Sequence, residues 1–270
     1  DGDIDRVLPE LSRAGGSPGG ARPKVLVAID GAGHAVHGSQ SAPAGHDHYL
    51  VKFRSLDDPL DAAEIEHAYS EMARAAGVLV PETKLLPGRA GEHYFASRRF
   101  DRHGVDDNNQ RVHVHSASGL LYADIRLPSL DYQDLVFLTR AVTRDQRDCK
   151  AMVALAVFNV LAHNRDDHAR QFSYIMERGG RWCLAPAYDL TFSEGPGGEH
   201  STSVIGRGKD IGRESLLELG RKADFTDHET GQVIETVGNA VAQWSDISIA
   251  CGVTAGSRNR IAAELAKVRV

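Results

Sequence analysis

A chain of 270 residues, 41% of them hydrophobic, can bury one large core or two smaller ones. Its 31 basic and 37 acidic residues leave a net charge of −6, which excludes a broad cationic surface for nucleic acid. No segment approaches the ~20 apolar residues of a membrane-spanning helix, and no basic-plus-apolar leader opens the chain, so no membrane association is expected.

Cys149, Cys183 and Cys251 are odd in number and widely spaced, without a CxxC pair. That pattern argues against a disulfide framework or a cysteine zinc site and favours a reducing cytoplasm.

In chain order, residues 14–24 form the Gly-rich stretch "AGGSPGGARPK". Strands are expected at 25–30 and 48–53, joined as a hairpin. Residues 60–77 have helical period, with Ile65, Tyr69, Met72, Ala73 and Ala76 on one face, Asp61 as N-cap and Gly77 as stop. Two further strands are expected at 82–88 and 93–100. The polar run "DRHGVDDNNQ" at 101–110 marks a lobe boundary, giving a strand-rich lobe at 1–101 and a mostly helical lobe at 102–270. Helices are expected at 116–125, 132–143, 145–162, 213–223, about 228–246 and 255–268.

Four stretches carry unusual chemistry. Ser17, Gly19, Gly20, Ala21 and Lys24 belong to a glycine-rich loop whose backbone N–H groups can surround a phosphate. Lys52 sits inside the apolar strand "YLVKF", in a chain with 24 Arg and only seven Lys. A kinase reading pairs it with a carboxylate on the following helix, where Glu64, Glu66 and Glu71 are candidates. The stretch "ASRRFD", ending in Arg99, Phe100 and Asp101, runs into the inter-lobe connection, where backbone groups can meet adenine and Asp101 a ribose. Last, "HNRDDHARQ" at 163–171 crowds ionisable groups between an apolar helix and a strand, a costly arrangement without compensation. An Asp there can act as general base, while Gln171 and Asp189 can offer oxygens to Mg²⁺. The order Asp166, Gln171, Asp189 matches the kinase order of catalytic Asp, metal-binding amide and metal-binding Asp. A zinc hydrolase is the weaker alternative. His113 and His115 would share a strand face, but the chain has no HExxH and no Cys/His cluster with ligand spacing.

Taken together, "SPGGARPK", "VKF", "RRFDR", "FNVLAHNRDDHARQFSYIM", "LAPAYDLTFS" and "GGEHSTSVIGRG" resemble HipA-type toxin kinases, in the same order. The resemblance implies an α+β, two-lobed fold like protein kinases and phosphoinositide kinases, with a small β-rich N-lobe and a helical C-lobe. It implies an ATP- and Mg²⁺-dependent protein serine/threonine kinase of a toxin–antitoxin system. In that family's terms, Asp166 is the catalytic Asp, His168 lines the phosphate site and Lys52 contacts phosphates. Arg99 and Phe100 belong to the adenine hinge, Asp189 binds metal after Tyr188, Lys24 supports the phosphate loop, and Ser17 is the regulatory serine that the kinase itself phosphorylates. A protein substrate such as a translation component and a HipB-type antitoxin, the latter carrying any DNA contact, are the implied partners. Three departures stand out: Gln171 replaces the usual Asn, residues 115–119 lack the acidic pair and Gln of some members, and the family's N-terminal subdomain is missing from this sequence. The competing readings are a small-molecule or lipid kinase and a non-catalytic ATP-binding module of a repressor complex.

Overall fold

The computed structural model describes residues 2–3, 22–37, 42–88, 91–103, 110–124, 130–268 and 270. Two units compose it: Asp1–Ala68 with Pro81–Val112 and Ser248–Ser257, and Tyr69–Val80 with His113–Ile247 and Arg258–Val270. Ser17, Gly19, Gly20 and Ala21 lie outside the described residues.

The first unit is built on strands β1 (Gly2–Asp3), β2 (Lys24–Asp30), β3 (His34–His37) and β4 (His46–Lys52), the first half of helix α1 (Ala62–Ala75), and strands β5 (Thr83–Pro87) and β6 (His93–Arg98). The six strands form one antiparallel sheet in the order β1-β3-β2-β4-β6-β5. Strand alternation sends Val25, Val27, Ile29, Tyr49 and Val51 to a core that also holds Phe53, Leu86 and Ala96. The same alternation puts Lys52 on the other face, in register with Lys24 across the β2–β4 pair. Two short strands, β7 (Arg102–His103) and β8 (Gln110–Arg111), pair with each other.

Helix α1 buries the five residues expected from its period. It ends in a Schellman motif: Gly77 at φ +76° donates to Arg74 and Val78 donates to Ala73. At its start Asp61 behaves differently from a simple cap. Its carbonyl accepts the Ile65 N–H, but its carboxylate accepts the Thr254 N–H and the Ser257 hydroxyl, each at 2.8 Å.

The second unit contains β9 (His113–Ser116), α2 (Ala117–Leu121), β10 (Leu130–Asp131), α3 (Tyr132–Thr143), α4 (Gln146–Leu161), β11 (Ser173–Met176), β12 (Trp182–Leu184), β13 (Thr202–Ser203), α5 (Arg213–Lys222), α6 (Asp227–Val241), the start of α7 (Trp244–Ala250) and most of α8 (Ala255–Leu265). The sequence expectation at 116–125 was too long: Tyr122 turns left-handed at φ 53° and closes α2. The single helix expected near 228–246 breaks before Trp244. Its indole is buried, packs edge-on against Tyr69 and donates to the Arg258 carbonyl. Burying that side chain favours a new helix direction over extension of α6. No helix among the described residues is long and apolar enough to cross a membrane.

Asp61 generates a stability prediction. Burial alone would raise its carboxyl pKa, but hydrogen bonds from Thr254 and Ser257 hold it below the ordinary value. A depressed folded-state pKa contributes stability above the unfolded value, lost as pH falls through the folded one. Asp61→Ala should therefore cost ~1–3 kcal/mol at neutral pH, with the gap from wild type closing in strong acid. Thermal melts across pH check this, and a pH-independent gap would contradict it.

Candidate functional site

In the first unit, Lys52 is only 7% exposed, and burying an ammonium there requires a counter-charge. Glu66, one of the three helix carboxylates offered by the sequence, supplies it through a short Lys52–Glu66 ion pair. Glu64 instead meets His93 Nδ1 at 2.7 Å, and Glu71 pairs with Arg74. The other Glu66 oxygen lies 3.4 Å from Arg22 Nη1. The Arg99 N–H donates to the His48 carbonyl, so the connection after β6 stays tied to β4. The Arg99 guanidinium grips Asp101 bidentately at 2.8 and 2.6 Å, and Arg102 reaches the same carboxylate at 3.2 Å. Burial acts to raise the Asp101 pKa, yet these two cations hold it below the usual carboxylate value. Phe100 is half-buried in the turn between them.

In the second unit, the loop after α4 is shaped by polar contacts rather than apolar packing. His163 adopts φ 54°, stacks on Phe192 at 5.1 Å and faces the Ser193 carbonyl through Nδ1 at 3.2 Å. Burial, reinforced by Arg165, lowers its pKa and favours a neutral ring. The adjacent carboxylates then diverge. Asp166 is exposed, whereas Asp167 is completely buried. Asp167 accepts from the Tyr132 hydroxyl at 2.8 Å, His200 Nδ1 at 2.9 Å, and the N–H groups of Ser201 and Thr202 at 2.8 and 3.2 Å. Asn159 donates to Tyr132, and Asn164 donates to Asn159, extending the network into α4.

Just beyond, His168 caps the short helix Ala169–Gln171, its Nδ1 accepting the Arg170 N–H at 3.3 Å. In a neutral ring that contact places the proton on Nε2. Gln171 Nε2 lies 3.0 Å from Asp189 Oδ2. The structure thus brings together two residues that the sequence separates by the strands β11 and β12. Asp189 has φ 60°, a left-handed conformation uncommon for a residue with a side chain. Tyr188 beside it donates to the Arg170 carbonyl and shares a 2.7 Å hydrogen bond with Ser173. Burial, with the Asp189 charge, raises its pKa and keeps it a neutral hydroxyl.

Sequence reasoning overlooked the second carboxylate framework. Asp131 caps α3 in a capping box with Asp134 and also accepts from Ser203 Oγ at 2.7 Å, Ile205 N at 3.1 Å and Gly206 N at 2.6 Å. Asp131 and Asp167 together hold the segment 200–206. The available signal was the D-x-x-D cap signature at 131–134, which marks the helix start but not the distant partners. Among the described residues no group of three or more His, Cys, Asp or Glu is arranged to hold a metal, His113 and His115 included.

A family model described as the HipA-like C-terminal domain matches residues 16–244. No curated protein matches the chain in a sequence comparison. Among solved structures, the chain is similar to one chain of the Shewanella oneidensis MR-1 toxin–antitoxin complex of HipA, HipB and operator DNA. The identity is 16% and the TM-score 0.71, covering 93% of this chain and 63% of that one. The chain therefore spans less than two thirds of that relative's length, and the likeness is one of fold. A slighter likeness, at 12% identity and TM-score 0.44, covers 82% of this chain and 92% of the Helicobacter pylori proinflammatory kinase CtkA.

The divergence of the two adjacent carboxylates makes a testable contrast. Asp167→Ala removes a buried acceptor and leaves Tyr132, His200 and two backbone N–H groups to find other partners, so it should destabilise by roughly 3 kcal/mol or more. Asp166→Ala, at an exposed position, should stay within about 0.5 kcal/mol of wild type. Urea unfolding of both variants decides; equal losses would dissolve the distinction.

Proposed function

The chain belongs to the family of the HipA-like C-terminal domain, and on that premise we propose that it is an ATP- and Mg²⁺-dependent protein serine/threonine kinase of the HipA toxin type. The observation that carries the reading is the Gln171–Asp189 contact, with an exposed Asp166 preceding both in the kinase order.

The donor set suits a hard cation. Asp189 offers a carboxylate and Gln171 an amide oxygen, since the side-chain amide can present either end. Two protein oxygens, with phosphate and water completing the shell, are what Mg²⁺ usually takes from a nucleotide enzyme. Bound there, Mg²⁺ neutralises charge on the phosphates. Asp166 orients and deprotonates the acceptor hydroxyl, and its exposure suits a protein side chain as substrate. His168, whose Nδ1 faces the Arg170 N–H, lines the phosphate site with its Nε2 edge. Lys52, held by Glu66, contacts the phosphates, while Lys24 supports the glycine-rich stretch of Ser17, Gly19, Gly20 and Ala21. Arg99, Phe100 and Asp101 serve the adenosine end, with the Asp101 oxygens shared between ribose and their present arginine partners. Tyr188 fixes the backbone leading to Asp189. In this scheme catalysis is mostly positioning and charge stabilisation.

The proposal extends to a cytoplasmic protein with a protein substrate, a translation component, and a HipB-type antitoxin partner through which any DNA contact runs. Ser17 is the proposed site of self-phosphorylation, which would add about −1.5 to −2 charge at neutral pH and compete with ATP for the same donors. A small-molecule or lipid kinase would use the same carboxylates; labelled ATP in cell extract separates the readings, a labelled protein against a labelled metabolite. Gln171 in place of the family's usual Asn favours, as the other alternative, a non-catalytic ATP-binding module of a repressor complex, which would bind ATP without turnover.

Three outcomes follow for the purified chain. Asp166→Asn should lower phosphoryl transfer by about 10²–10⁴-fold with nucleotide affinity nearly unchanged; undiminished transfer would remove Asp166 from the role. In calorimetry ATP should bind more tightly with Mg²⁺ than without, and Asp189→Asn should abolish that difference. Mass spectrometry after incubation with Mg-ATP should find phosphate on Ser17 in the wild type and none in Asp166→Asn; a modified Ser17 in both would assign it to another enzyme.

A further inference from the structure

We propose that Arg22 is a positioning residue for Lys52, acting through the carboxylate of Glu66; the assignment rests on the phosphate-binding role proposed for Lys52. Four charged side chains of the first unit form a chain. Asp58 is fixed by the N–H and hydroxyl of Ser55, both at 2.9 Å. Arg22 places Nε and Nη2 on one Asp58 oxygen at 3.1 and 2.8 Å and turns Nη1 toward Glu66 Oε2 at 3.4 Å. Glu66 gives its other oxygen to Lys52.

Burial decides why the outer pair matters. Glu66 is 1% exposed and Lys52 7%, so neither gains much from water. A carboxylate held at one oxygen can swing about its last torsion, whereas one held at both has a fixed plane. Arg22, on the far oxygen, therefore fixes the direction from which Glu66 meets the ammonium. Only a guanidinium can do this: its planar fork serves Asp58 and Glu66 at once, and a lysine ammonium is a single point of charge. Arg22 lies near the end of the glycine-rich stretch, with Pro23 fixing φ at the next residue. Its position thereby couples the end of that stretch to the lysine on β4.

The test uses the full chain as wild type, Arg22→Gln and Arg22→Lys. Each is labelled with a limiting amine-reactive reagent, and the rate at each lysine is read by mass spectrometry. Lys84, half exposed on the same sheet, is the internal control. Arg22→Gln should raise Lys52 labelling severalfold with Lys84 unchanged, and Arg22→Lys should fall between. Mg-ATP affinity should weaken in the same rank order, with turnover at saturation less affected. Unchanged Lys52 labelling in Arg22→Gln would overturn the assignment. So would a uniform rise at every lysine with a lowered melting temperature, which marks a merely structural role. A wild type that binds no Mg-ATP would instead remove the kinase reading, while the labelling result still judges the Arg22–Glu66–Lys52 relay.

Discussion

A fully buried carboxylate organises the second unit. Asp167 has no water to solvate it, so its charge must be met by protein donors. Each donor belongs to a different stretch of chain: Tyr132 opens α3, His200 and the Ser201 and Thr202 amides lie after the 193–198 turn, and Asn159 supports Tyr132 from within α4. Meeting one charge therefore fixes three chain segments together. The return strand of bonds runs the same way, for the Thr202 hydroxyl donates to the Asp167 carbonyl and Ser201 donates to that of Arg165. Asp166 and His168, on either side of Asp167, inherit a backbone that cannot easily move.

The neighbouring turn shows how tightly this arrangement is drawn. Arg165 Nη1 donates to the Gly198 carbonyl at 2.6 Å, and Ser193 exchanges backbone contacts with residues 163–165. At Gly195, with φ +71°, a Cβ would stand 2.0 Å from the Glu199 carbonyl oxygen and 2.7 Å from Arg165 Cβ. Only glycine lets the two loops approach so closely.

Much of this fold was legible because its signals are local. The face of α1, its Gly77 stop and the span of α3 follow from periodicity and cap chemistry within a few residues. The structure also brings Gln171 and Asp189, both singled out from the sequence, into contact across 18 positions. What failed to show were side chains whose partners are remote in sequence. Asp61 looks like an ordinary N-cap, yet its carboxylate serves Thr254 and Ser257. Nothing local distinguishes Glu66 from Glu64 as the partner of Lys52; only packing settles it, since Glu64 lies toward His93. The Asp166–Asp167 pair is the sharpest case: two identical residues, one exposed and one buried, separated only by how the backbone turns between them.

Gln171 is where local and remote constraints meet. An asparagine at this position has its amide one methylene nearer the backbone. The extra length carries the Gln171 amide to 3.0 Å from Asp189, so the two side chains satisfy each other. The contact also suits the left-handed turn at Asp189, because it gives the carboxylate a fixed donor at a residue whose backbone conformation is costly. Tyr188 adds a second tie by donating to the Arg170 carbonyl, one residue before Gln171. The two stretches are therefore joined twice, once by side chain to side chain and once by side chain to backbone. The longer side chain thus closes this turn with a side-chain hydrogen bond beside the one from Tyr188 to the backbone.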